Sequence, residues 1–176
     1  MQGARGAVVG GAVVGLAILA SAACAGGPVL EGGAYRDAKL GWTIAAPPAE
    51  WTRIRVEGAD LALRGPGGEL MSLTVHCGVP LAAPATLARH LRLGVPDSQV
   101  RDAAEVSVDG RPGWTQVFDA HRDGKTVRIA TVTRVDERCV QDFALASQGE
   151  RPAAEVAFDA WWKSFRAAPS RAGGAR

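Results

Sequence analysis

The opening of this chain lacks acidic charge. No acidic residue occurs before Glu31, and Arg5 is the only basic side chain in that stretch. The chain is also poor in the residues from which active sites are commonly built. It has three histidines and three cysteines in 176 residues. HExxH, CxxC and paired-histidine spacings are absent, so no metal framework is implied. GxSxG and SxxK are missing, which removes two familiar nucleophile settings. "RGPGGE", Arg64 to Glu69, lacks both the pattern and the strand-to-helix context of a phosphate loop. No cofactor is implied. Twenty basic and 18 acidic residues give a net charge of +2 with no basic cluster, so no nucleic-acid partner is expected. No internal repeat occurs.

What is present at the start is an apolar run. From Ala7 to Ala20 the chain uses only Ala, Val, Gly, Leu and Ile. That length suits a signal-peptide core and falls short of the roughly 20 residues needed to span a bilayer as a helix. Residues 1–23 therefore read as a signal peptide, the alternative being a permanent N-terminal membrane helix. "LASAAC" resembles the lipobox of bacterial lipoprotein precursors. Ala22 and Ala23 fit the peptidase, and Cys24 would carry the lipid, palmitate included. Ser21 stands where that motif has Leu. An ordinary signal-peptidase cut also stays open, because "ASA" and "SAA" satisfy the small-x-small rule. The resemblance implies a membrane anchor in the cell envelope, periplasm-facing or at the surface. Ala25 after the cysteine points to the outer membrane in a Gram-negative cell. Residues 24–34, with "AGGPVLEGGA", read as a flexible tether. At the other end, residues 167–176 carry no apolar periodicity and read as a disordered tail.

Between these lies one domain, residues 35–166, of a size that suits a single core. "GWTIAAPPAEW" predicts a short strand, Trp42 to Ala45, stopped by Pro47 and Pro48. "TRIRV" and "ADLALRG" are further strand-like pieces, followed by the turn residues 65–68. "ELMSLTVHC" alternates, with Met71, Leu73, Val75 and Cys77 on one face. A helix is predicted over Ala85–Val95, with Leu87, Ala88, Leu91 and Val95 on its apolar face. From Ala104 to Ser147 the pattern is a meander of strands, turned at "DGRPG", "HRDGK" and "VDER". A second helix follows Pro152, and Phe158, Trp161, Trp162 and Phe165 form its stripe. Strands, helix, strands, helix give the α+β class, an antiparallel sheet packed with helices.

At this point "GWTIAAPPAEW", the mid-chain helix, "VDGRPGW" leading into a long meander, and "FDAWWKSF" together resemble PsbP-like domains, small bacterial lipoproteins among them. The resemblance covers about Tyr35 to Arg166. It implies an antiparallel sheet between helices, an α/β/α sandwich. It also implies a binding or assembly role with no catalytic constellation, the partner being an unidentified envelope protein. Its motifs mark turns and core positions, so no functional residue carries over.

The remaining candidates are dispersed. His76, His90 and His121 read as surface residues. His76 and Cys77 with Cys139 would begin a zinc site, but no fourth ligand is visible. Asp119, Asp123, Asp136 and Asp142 lie near strand ends, either gathered at one edge or forming a solvated rim. Trp161 and Trp162 are explained by core packing, whereas Trp42, Trp51 and Trp114 adjoin turns or strand ends. With Cys24 acylated, Cys77 and Cys139 are expected to form a disulfide, both pointing to the apolar side of one sheet; two separate buried thiols are the alternative. Two functions stay open. One is a non-catalytic envelope lipoprotein that binds or scaffolds another component. The other is a periplasmic hydrolase or small-ligand carrier with a site built from dispersed residues.

Overall fold

A computed structural model describes residues 27–168, apart from Pro80, Gly94, Pro96 and Asp123. The signal peptide and Cys24 lie outside the described residues, as do residues 169–176. The first elements are short: β1 (Val29–Glu31), β2 (Ala34–Asp37), β3 (Trp42–Ala45), β4 (Thr52–Ile54) and β5 (Leu61–Arg64). Then come β6 (Leu70–Cys77) and α1 (Pro84–Leu91). The long meander follows: β7 (Gln99–Val108), β8 (Arg111–Arg122), β9 (Lys125–Val135) and β10 (Cys139–Gln148). The described chain closes with α2 (Pro152–Lys163) and β11 (Arg166–Ala167).

The expected single sheet is two. Seven strands run in the order β4-β5-β6-β10-β9-β8-β7, and four more in the order β1-β2-β3-β11. Every pairing is antiparallel. After β6 the chain passes through α1 to the far edge at β7. The meander then returns strand by strand until β10 lies beside β6. The turn between β7 and β8 shows how the sequence enforces this. Val108 pairs with Arg111, which leaves a two-residue loop. The type I′ form of such a loop requires positive φ at both central residues, and Asp109 and Gly110 supply 51° and 71°.

Three expectations change. Most of the segment read as a tether is a hairpin, because β1 pairs with β2 across Gly32 and Gly33. The first helix ends at Leu91, a turn before Val95. Past Leu91 the backbone N–H groups tighten onto i−3 carbonyls, Arg92 to Arg89 and Leu93 to His90, which ends the α-helical ladder. The tail is strand at Ala167, which pairs with Trp42.

The two helices lie on opposite faces of the larger sheet. Ala88 of α1 is buried, and Gln116 Nε2 donates 2.7 Å to its carbonyl. That bond has a local cause. The last four carbonyls of a helix have no intrahelical donor, and the Arg92 N–H turns to Arg89 instead. On the other face, Phe143 of β10 meets Trp161 edge-on at 6.1 Å and Phe165 at 5.2 Å. The smaller sheet joins this core through Trp42 and Ile44, both buried. The expected aromatic residues thus form the seam that closes α2 and the smaller sheet onto the larger one, although α2 ends at Lys163 and Phe165 lies just beyond the helix it was expected to belong to.

Candidate functional site: a groove beneath the last helix

Because β10 and α2 are joined by only three residues, α2 folds straight back along the sheet. Its stripe covers β10, but it does not reach the outer strands. Asp102 and Ala104, on this face of β7, are exposed. Between helix and sheet a half-open groove of about 330 Å³ remains. Val106, Thr115, Val117, Ala130 and Leu145 form its floor, and Phe158 and Trp162 form its wall. Strand register explains the floor. Val117 pairs with Ala130, and Ala130 pairs with Leu145, so one row of small apolar side chains crosses three strands.

Charged groups converge on this apolar floor. Asp119 is buried and accepts from Arg128 Nε at 3.0 Å and Arg101 Nε at 2.9 Å. The bond from Arg128 holds the Asp119 carboxyl below the usual carboxylate range; burial opposes this, and Arg101 adds to it. Arg128 also pairs with Glu150 at 2.7 Å, and the two carboxylates raise its own pKa above the ordinary guanidinium value. On α2, Lys163 pairs with Asp159 at 2.6 Å. Glu155, one turn earlier, differs from these. Its Oε1 is buried and has no hydrogen-bond donor among the described residues.

Sequence reasoning missed Glu155, Asp159 and Lys163, which line this groove. The signal was present. The three stand at i, i+4 and i+8, along the Trp162 side of the aromatic stripe. Trp162 is buried as expected for core packing, and it also forms part of the groove wall.

The other candidates separate. His76 and His90 come to one hollow under α1, beside Asp142, while His121 lies near the β8–β9 turn with its Nδ1 3.3 Å from Thr126. All three histidines are exposed. Asp142 accepts from Thr133 Oγ1 at 2.6 Å. Burial pushes its carboxyl up, against the pull of that bond and of His76. Asp136 sits at the β9–β10 turn, where it accepts from Arg134 and from the Arg138 and Cys139 N–H groups. Burial alone would raise its pKa, but those donors together hold it below the usual range. Asp119, Asp136 and Asp142 therefore do not gather at one edge; Asp123 lies outside the described residues. Trp42 and Trp51 are buried, and Trp114 is half-buried.

Cys77 and Cys139 are directly opposed across β6 and β10 and are joined by a disulfide. Both stand on the face of Leu73 and Phe143, but at the strand ends, where the core has run out. Cys77 is exposed and Cys139 half-buried, so the expected bridge forms on the expected face and the alternative of two separate buried thiols is not what the structure shows. The bridge takes both thiols away from any zinc site. Among the described residues no group of three His, Cys, Asp or Glu side chains gathers to hold a metal ion.

No family model matches the sequence, and no curated protein matches it. Solved structures do match in shape. The solution structure of cyanobacterial PsbP (CyanoP) from Synechocystis has a TM-score of 0.60 at 17% identity, covering 76% of this chain and 91% of its own. LpqN of Mycobacterium tuberculosis, described as involved in cell envelope biogenesis, has a TM-score of 0.57 at 15% identity, with 81% and 90% covered. PA94 of Pseudomonas aeruginosa, a protein of unknown function and putative regulator, has a TM-score of 0.54 at 15% identity, with 82% and 100% covered. The chain has a PsbP-like α+β fold.

Proposed function

We propose that this protein is a non-catalytic lipoprotein of the bacterial cell envelope, held by a lipid on Cys24 and acting by binding another envelope component. The observation that carries the reading is the Cys77–Cys139 disulfide. Structural disulfides persist in oxidising compartments outside the cytoplasm. The leader, uncharged from Gly6 to Ala23, and "LASAAC" direct the chain to the same place. No helix among the described residues is long and apolar enough to cross a membrane. The likeness in shape to LpqN, a protein of cell envelope biogenesis, supports an envelope role.

A second reading, a small-ligand carrier, is favoured by the groove under α2. Its volume lies at the lower end of the range of ligand pockets, and its few polar groups sit around an apolar floor. The hydrolase branch has no such support.

Mass spectrometry of the mature N-terminus tests the anchor. The expected result is a diacylated or triacylated Cys24 and recovery of the protein with the membrane fraction. An unmodified terminus at Ala23, Cys24 or Ala25 sinks the lipoprotein reading.

A further inference from the structure

The groove under α2 has a charge surplus. Lys163 is matched by Asp159, and Arg101 and Arg128 are matched by Asp119 and Glu150. That leaves Glu155, whose Oε1 lies buried with no donor among the described residues. A buried acceptor without a partner loses its hydration and gains nothing in return. Glu155 also lines the groove and is half-buried as a residue, so its carboxylate is the unmatched charge that a molecule bound there meets.

The geometry fixes the rest of the occupant. Glu155 is in the first turns of α2 and Trp162 near its end, so the groove runs along the helix with the carboxylate toward one end. The row Leu145–Ala130–Val117 presents no polar side chain to a ligand lying there. A volume of about 330 Å³ holds about eleven waters, or a body of roughly ten non-hydrogen atoms. We propose that this groove binds a small amphiphile with an aliphatic body and a single ammonium head, the head donating to Glu155 and the body lying between Trp162 and the Val117–Ala130 floor.

The inference deepens the binding role proposed above and rests on it. An ammonium in a half-dry groove gains a charge-assisted hydrogen bond to Glu155. A carboxylate of the same length would instead meet the Glu155 charge and be repelled.

The test is a titration of the disulfide-intact domain, residues 25–176, with n-octylammonium and with n-octanoate, followed by amide chemical shifts. Saturable shifts at Val117, Ala130 and Phe158, with octylammonium binding at least tenfold tighter than octanoate, are expected. Glu155→Gln keeps the shape and removes the charge. Its spectrum should superpose on the parent away from α2, and the preference should fall to within about threefold. Equal or tighter binding of octanoate overturns the proposal. So does a preference that survives Glu155→Gln, or shifts centred on the Cys77–Cys139 end, or no saturable binding of either probe. None of these results alters the state of Cys24, so failure of the groove assignment is distinguishable from failure of the lipoprotein reading.

Discussion

Removing the disulfide gives the most quantitative expectation. The bridge joins residues 62 apart in sequence. In the chain-entropy account, closing a loop of that length costs the unfolded chain an amount that stabilises the fold by about 4 kcal/mol at 25 °C. The native contribution of the sulfurs is small by comparison. Cys77 is exposed, Cys139 is half-buried, and β6 and β10 keep their other seven register pairs from His76–Val140 to Leu70–Ala146. The Cys77→Ser, Cys139→Ser double variant should therefore lose most of this stability through its unfolded state. Urea unfolding separates the two origins. If the cross-link acts on the unfolded chain, the variant exposes more surface on unfolding, so its m-value rises as its midpoint falls. The melting temperature should drop by roughly 8–16 °C. A loss below about 1 kcal/mol with an unchanged m-value would refute the reasoning. A large loss with an unchanged m-value would refute its mechanism and place the effect in native packing. Thiol counting on the parent, denatured without reductant, should find neither Cys77 nor Cys139 free.

Two further substitutions test local claims. Asp142 has a raised pKa because burial disfavours its charge. Its folded form therefore binds a proton more readily than the unfolded chain does, and the group subtracts stability at pH values above its folded pKa; that loss is relieved as pH falls. Asp142→Asn, which can still accept from Thr133, should raise the melting temperature at pH 7 and lose that advantage near pH 3; an equal shift at both values contradicts the account. Gln116→Leu removes the donor to the Ala88 carbonyl. It should cost about 1–3 kcal/mol in urea unfolding and speed amide exchange in α1, and parental stability with unchanged exchange would show the bond to be unimportant.

Elements with strong local codes were legible in the sequence. Trp42–Ala45 is bounded by Gly41 and the proline pair, and it is found where the pattern places it. Asp109-Gly110 fixes its hairpin, and the Phe158–Phe165 stripe buries as a unit. What escaped depends on long-range partners. β1, β2 and β11 have two to four residues each, too few for periodicity to register, and they become strands only because they pair with one another and with β3. The neighbourhood of β6 and β10 is equally invisible, because some sixty residues intervene; only the two cysteines hinted at it. Glu155 was hidden for a different reason. Its spacing could be read, but its missing partner is a property of the folded groove.

The chain enters the fold at one extreme edge, and this governs how the molecule carries load. Arg53 Nη1 donates 2.7 Å to the Pro28 carbonyl, so the entry point lies against β4. The groove and β7 lie toward the opposite edge, and six strand spacings of about 4.8 Å separate β4 from β7 by roughly 29 Å. A pull transmitted through the residues before Gly27 therefore reaches β1 first, an edge strand of three residues with three register pairs, then β4, also of three residues. Short terminal ladders peel open one pair at a time, whereas the β8–β9–β10 ladders carry nine or ten pairs each. If the proposed Cys24 anchor transmits tension, the three-pair hairpin would be the first ladder to open, and the nine- and ten-pair ladders that carry the groove would be the last.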